Sequence, residues 1–186
     1  MHNVRIIAGS YGGRILDTPK TKRTHPMGER IRNALFNSIA DYLAEAKVLD
    51  VFAGTGALGF EALSRGAREL TLIEKDRIAQ KVIQNNIELL DIESQANLVR
   101  AGVGSWLSTV RDVNFDVILV DPPYHDIKKY QSNISQLLEL LAPGGILVLS
   151  KPAREQLDIK LPNGVSFIDK RNYSEADLLL YKRQTN

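Results

Sequence analysis

The sequence predicts a doubly wound α/β fold: a mostly parallel seven-stranded sheet with helices on both faces, an antiparallel C-terminal edge, and an N-terminal hairpin-and-helix extension. Three observations predict it. From Lys47 onward, apolar runs alternate with helical stretches. The runs are too continuously apolar to keep a solvent face, which is the signature of parallel strands buried on both sides. The last two runs are joined by only a short polar link, which permits antiparallel pairing and no crossover helix.

Taken in order, Val4–Ala8, the turn Gly9-Ser10-Tyr11-Gly12-Gly13 and Arg14–Leu16 read as a hairpin. A polar loop, Thr18 to Pro26, leads to a helix over Gly28–Ala46, with Ile31, Leu35, Ile39 and Leu43 on one face. Strands are expected at 48–52, 70–73, 97–99, 115–120 and 146–149, with helices at 58–64, 77–90 and 132–141 between them. Pro143-Gly144-Gly145 is the turn into the fifth strand, and 165–171 with 176–182 form the antiparallel pair. The expected organisation is an extension, residues 1–46, on a main domain, residues 47–186.

Composition narrows the chemistry. The 186 residues are 44% hydrophobic and 25% charged, ordinary for a globular domain. Without cysteine there are no disulfides, thiolate metal sites, iron–sulfur radical chemistry or cysteine attack on a pyrimidine. No apolar run approaches the ~20 residues that span a bilayer, and the N-terminal segment lacks a signal-peptide pattern. A cytoplasmic monomer that contacts no membrane is expected. His2, His25 and His125 are scattered without metal-ligand spacing, so no metal is expected. Charge is uneven: through Phe36, seven Lys/Arg stand against two acidic residues, net +5, leaving seventeen against twenty afterwards. Such an arm suits a polyanion touched at one end, or a solvated leader.

Asp50-Val51-Phe52-Ala53-Gly54-Thr55-Gly56 ends the first parallel strand, where open α/β sheets bind ligands. Glu74 ends the second, where a carboxylate can accept from two ribose hydroxyls. Gly54-Thr55-Gly56-Ala57-Leu58-Gly59 is also a G-x-G-x-x-G with an acid about 20 residues on, so a nicotinamide-dependent oxidoreductase fits the same loop. Asp50 tips the balance by aiming a charge at the ligand, which repels a pyrophosphate and attracts a sulfonium–ammonium group.

The strongest signal is Asp121-Pro122-Pro123-Tyr124 after the fourth strand. Two prolines fix φ and offer no N–H, leaving carbonyls free to accept. The Asp121 carboxylate and Pro122 carbonyl can take the two N–H groups of an exocyclic amine and turn its lone pair toward a methyl group. Tyr124 can stack on the base.

On these residues the chain resembles the bacterial 16S rRNA guanine-N2 methyltransferases. The resemblance runs through Arg5-Ile6-Ile7-Ala8-Gly9 with Gly13-Arg14, and through Arg30-Ile31-Arg32-Asn33-Ala34-Leu35-Phe36-Asn37. It continues through Leu49–Gly59 with Glu61–Ala67 and ends at Asp121–Tyr124. It implies a Rossmann-like class I methyltransferase fold and S-adenosylmethionine as the only cofactor. It also implies 16S ribosomal RNA as substrate, in an assembling or assembled small subunit. The donor residues are then Asp50, Phe52, Ala53, Gly54, Thr55, Gly56, Glu74, Lys75 and Val103; the catalytic ones are Asp121, Pro122, Pro123 and Tyr124. Arg5, Arg14, Lys22, Arg23 and Arg30 are the expected RNA contacts. An adenine-N6 nucleic-acid methyltransferase is the alternative within the class, since Asp-Pro-Pro-Tyr is shared with such enzymes. The chain departs from the family at Thr24-His25-Pro26-Met27, where Thr-Arg-Pro-Thr is usual, and at Gly102, where an Asp is usual beside the adenine. Trp106 is read as core, with a lid over the adenine as the alternative; Asn85-Asn86 is read as a polar helix face, and Lys128-Lys129 as a solvated face, with phosphate contact as the alternative.

Overall fold

The computed structural model describes residues 4–19, 27–173 and 176–185. A two-stranded hairpin, β1 (Val4–Arg5) and β2 (Ile15–Leu16), is followed by α1 (Glu29–Ser38). Then come β3 (Lys47–Val51), α2 (Ala57–Ser64), β4 (Glu69–Ile73), α3 (Arg77–Leu90), β5 (Ala96–Val99) and α4 (Val103–Thr109). The chain continues with β6 (Phe115–Val120), a 3-10 segment (Tyr124–Tyr130), α5 (Gln131–Glu139), β7 (Leu141–Pro152), β8 (Val165–Tyr173) and β9 (Ala176–Arg183). The seven-stranded sheet has the order β5-β4-β3-β6-β7-β9-β8. Its first five strands are parallel, while β9 runs antiparallel to both β7 and β8. Among the described residues no helix is long and apolar enough to cross a membrane.

Alternation along the strands sends side chains to two cores. Val48, Leu70, Val117 and Ile146 pack with α1, α2, α3 and the hairpin residues Val4, Ile6 and Leu16. Leu49, Ile118 and Leu147 pack on the other face with Val103 and Leu107 of α4 and Leu137 and Leu138 of α5. The N-terminal hairpin therefore has no core of its own.

Four expectations are corrected. The helix expected to Ala46 stops at Ser38, whose hydroxyl donates to the Leu35 carbonyl at 2.6 Å and competes with the next backbone bond. The chain then tightens into i→i+3 bonds, Tyr42 to Ile39 and Leu43 to Ala40, while Ile39 and Leu43 stay buried. Helical periodicity outlasts the α-helix because the tighter turn keeps both residues inward. Secondly, the strands of the hairpin are two residues each, shorter than expected. Thirdly, α4 is an additional helix, only seven residues long and with no strong apolar stripe to announce it. Fourthly, Pro143-Gly144-Gly145 lies within β7 as an irregularity, with Phe115 opposite Leu141 but Val117 opposite Ile146 and Gly144 at φ +79°.

Candidate active site

The order of chain connections reverses between β3 and β6, so their carboxyl ends form the sheet's crevice. Val51 pairs with Ile73 on one side and Val120 on the other. The loops beginning at Phe52, Glu74 and Asp121 are therefore neighbours.

The glycine loop is shaped from within. Asp50 is 1% exposed, and its Oδ2 accepts the Gly59 N–H at 2.8 Å, serving the first turn of α2 in place of an ordinary cap. This corrects the expected role: the Asp50 carboxylate faces inward, not toward a ligand, and charge repulsion of a pyrophosphate no longer follows from it. Burial pushes its pKa up to about 7, opposed by the Gly59 hydrogen bond and assisted by the nearby Asp121 and Glu74 charges. Gly54 and Gly56 sit at φ +59° and +78°. A Cβ on Gly56 would meet the Phe60 ring at 2.4 Å, so that glycine answers to packing. A Cβ on Gly54 would meet only the Phe52 carbonyl, at 3.9 Å, and so would project into open space above the loop. That open side is what a bound donor requires.

Glu74 accepts the Gly54 N–H through Oε2 at 2.8 Å and the Asp76 N–H through Oε1 at 2.7 Å. Each oxygen keeps a second lone pair for a ribose hydroxyl. Thr55 is buried, and its carbonyl accepts from Asn86 Nδ2 at 3.2 Å. Ala53 is half-buried, and its N–H donates to the Ile73 carbonyl. Phe52 holds φ +65°, a strained value for a side chain of that size, and its ring meets Tyr130 edge-on at 4.6 Å. The exposed Lys75 points its Nζ to the Tyr130 hydroxyl, 3.5 Å away. Val103 begins α4 with its side chain buried at 5% exposure, so only its backbone can serve a ligand.

Asp121 is half-buried at the exit of β6, followed by Pro122, Pro123 and Tyr124. Burial pushes the Asp121 carboxyl up to about 6, with the Ser150 hydroxyl opposing the shift. The Tyr124 hydroxyl lies 2.6 Å from Ser150 Oγ, while the residue remains 38% exposed. Burial also raises the Tyr124 phenol to about 12, so it stays protonated at neutral pH.

Of the basic arm, Arg5, Arg14 and Arg30 are exposed, with Arg5 donating to Glu29 at 2.8 Å. Lys22, Arg23 and Thr24-His25-Pro26 lie outside the described residues. Among the described cations of the arm, Arg32 does not face solvent: it is 3% exposed and lies 4.0 Å from the buried Glu61. Trp106 is half-buried and packs against the second core beside Phe115. His125 is exposed, and Lys128 and Lys129 pair with Glu155 and Asp126.

Sequence reasoning missed Ser150, Tyr130 and Asn86. Asn85 is on a polar face, but Asn86 is fully buried, taking the Asp17 N–H at 2.7 Å and reaching the Thr55 and Asp17 carbonyls. Its place between Ile83 and Ile87 in an apolar stripe was the available signal. Ser150 and Tyr130 had none, since their partners lie distant in the chain or in the other loops.

A protein-family model described as Conserved hypothetical protein 95 matches residues 4–182. Ribosomal RNA small subunit methyltransferase D of Haemophilus influenzae is 38% identical over 124 residues, 66% of this chain and 64% of that protein. The protein of the same name from Escherichia coli is 39% identical over 121 residues, 65% of this chain and 60% of its own length. These two matches thus span somewhat under two thirds of the relatives. The solved structure of yhhF from Escherichia coli superposes with a TM-score of 0.87 at 30% identity, covering all of both chains. With its sheet order, its loop convergence and this full-length likeness, the chain has the class I methyltransferase fold and belongs to the Conserved hypothetical protein 95 family.

Proposed function

We propose that this chain transfers a methyl group from S-adenosylmethionine to the exocyclic N2 of a guanine in 16S ribosomal RNA. One observation carries the reading: the strand pairing sets Asp121-Pro122-Pro123-Tyr124 beside the open-sided Gly54 loop and Glu74. The relatives named as small-subunit rRNA methyltransferases support the substrate class.

The donor, when bound, supplies an electrophilic methyl on sulfur; the chain supplies position and charge. Glu74 and the loop backbone hold the ribose and the methionyl portion. The Asp121 carboxylate and the Pro122 carbonyl accept the two N–H groups of the target amine, leaving its nitrogen lone pair aimed at the methyl. Tyr124 stacks on the base. Once nitrogen has formed its new bond, it carries an extra proton, and the Asp121 carboxylate is the acceptor at hand. Holding reactants in line in this way can lower a barrier by roughly 7–11 kcal/mol.

The test is incubation of purified protein with isotopically labelled donor and unmodified 16S rRNA or small subunits, followed by nucleoside mass spectrometry. N2-methylguanosine is expected. N6-methyladenosine would move the enzyme to the adenine class, and tight NADH binding without methyl transfer would overturn the reading.

Glu74→Ala should weaken donor binding by roughly 1.5–3 kcal/mol, the value of charge-assisted hydrogen bonds to the ribose. It also frees the Gly54 N–H, so calorimetry should show a more unfavourable binding entropy as well as lost enthalpy. Unchanged affinity would remove Glu74 from the donor site.

Residues 1–46 are proposed as the RNA-facing extension. Replacing Arg5, Arg14, Lys22 and Arg23 together should weaken RNA binding and flatten its salt dependence, by roughly 0.7–0.9 in log–log slope for each phosphate no longer neutralised. Donor affinity should hold. An unchanged slope would make these charges a solvated surface.

A further inference from the structure

We propose that Asn86 is a positioning residue of the donor site, and that its side-chain amide couples the glycine loop to the N-terminal extension. The inference rests on the donor-binding part of the reading above. Asn86 stands on α3 between Ile83 and Ile87 and has no solvent exposure. A primary amide in an apolar stripe is costly to bury unless its polar atoms find partners. Its three side-chain bonds all leave α3. Oδ1 accepts the Asp17 N–H at 2.7 Å, while Nδ2 donates to the Asp17 carbonyl at 3.1 Å and to the Thr55 carbonyl at 3.2 Å.

Partner counting fixes the orientation of the amide. Exchanging its oxygen and nitrogen would set an N–H against the Asp17 N–H and an oxygen against two carbonyls. Both Nδ2 hydrogens are therefore committed, one to each segment. Toward Asp17 the amide behaves as a neighbouring strand would, taking the N–H and giving to the carbonyl. Asp17 directly follows β2, and Leu16 before it packs in the same core as Ile83 and Ile87. The end of the hairpin is thus clamped on α3 by its backbone.

Toward the glycine loop, Asn86 completes a set of holds at consecutive residues. The Ala53 N–H goes to the Ile73 carbonyl and the Gly54 N–H to Glu74, both at the end of β4. The Thr55 carbonyl is held from α3, and through α3 from the extension. That bond is buried, so losing it leaves an unsatisfied carbonyl until the loop shifts. One planar amide serves both segments, so a donor that settles on the loop favours Asn86 in place and Asp17 clamped. Linkage makes the effect reciprocal: the factor by which the donor strengthens the Asp17 clamp is the factor by which the clamp strengthens donor binding.

The experiment follows amide exchange by NMR in full-length protein, with and without saturating S-adenosylhomocysteine, and measures its Kd by calorimetry. Asn86→Leu keeps a similar volume and no hydrogen bond; Asn85→Ala changes the exposed neighbour. In the wild type, exchange at Asp17 should slow by roughly two- to tenfold, the worth of one neutral hydrogen bond. Ile6, whose N–H bonds the Arg14 carbonyl within the hairpin, should change less. Asn86→Leu should raise Kd by the same factor and remove the response at Asp17, while Asn85→Ala keeps both. A merely structural Asn86 would lower stability without any donor-dependent signal at Asp17. Equal slowing at Asp17 and Ile6, or an unchanged Kd in Asn86→Leu, would overturn the coupling. The wild-type comparison needs no variant, so it decides even if Asn86→Leu fails to fold. A wild-type protein that binds no S-adenosylhomocysteine overturns the donor reading and the coupling with it; binding with an unmoved Asp17 amide overturns the coupling alone.

Discussion

Asp121→Ala should lose methyl transfer by roughly 10²–10⁴-fold, the range of a missing positioned base, while donor affinity stays within a few-fold. The carboxylate is proposed to take the amine, and the donor's own contacts are proposed at Glu74 and the glycine loop, where Glu74 accepts the Gly54 N–H. Turnover in the wild-type protein should also fall as pH drops through about 6, because the protonated carboxyl cannot accept the amine N–H. Stability should move oppositely. The folded-state pKa of this acid is raised, so its contribution to stability is fully present below the unfolded value near 4 and lost as pH rises through about 6. At pH 7.5 Asp121→Asn should therefore melt higher than wild type, at about 2–4 °C per kcal/mol recovered, and the gain should shrink as pH falls from 6 to 4. Thermal melts beside single-turnover assays check both signs. An inactive variant that is also less stable at pH 7.5 would place Asp121 in the core's support, not in the reaction.

Glu61→Ala should cost the most stability. Glu61 is fully buried in α2, and its carboxylate accepts the Ile7 N–H at 2.7 Å, the Ala8 N–H at 3.2 Å and Arg65 Nε at 2.7 Å. Arg32, itself 3% exposed, lies 4.0 Å away, and its Nε has no hydrogen-bond partner. Removing the anion leaves one buried cation uncompensated and two backbone donors unpaired. Breaking a buried pair from one side costs about 3–5 kcal/mol, against a total of about 5–15 kcal/mol for a domain. The melting temperature should fall by roughly 10 °C, and exchange at the Ile7 and Ala8 amides should accelerate more than exchange in the sheet. Equal acceleration everywhere would mean that the hairpin is not tied down through Glu61.

What the sequence disclosed follows from how local each cause is. The glycine loop and Asp121–Tyr124 are contiguous, and their backbone constraints are written in consecutive residues. The parallel strands were legible because burial on both faces leaves unbroken apolar runs such as Phe115–Val120. The direction of the Asp50 side chain was not legible, since a residue near a strand's carboxyl end faces either the crevice or the following helix, and only the α2 geometry decides. Glu61 and Ser150 could not be read, because each gains its meaning from partners more than 20 residues away. Beyond α1 the periodicity of Ile39 and Leu43 reported burial faithfully and helix type wrongly, as a 3-10 turn can keep the same residues inward.

The position of β9 has a consequence for synthesis on the ribosome. It is made after both of its neighbours, yet it occupies the slot between β7 and β8. Until Ala176–Arg183 emerges, β7 carries an open hydrogen-bonding edge along Ile146–Pro152, and β8 has no sheet to join. The nascent chain thus presents an apolar strand edge late in its production, when most of the sheet can already form, and such an edge can pair with another chain. A stop codon just ahead of Ala176 should accordingly yield insoluble protein.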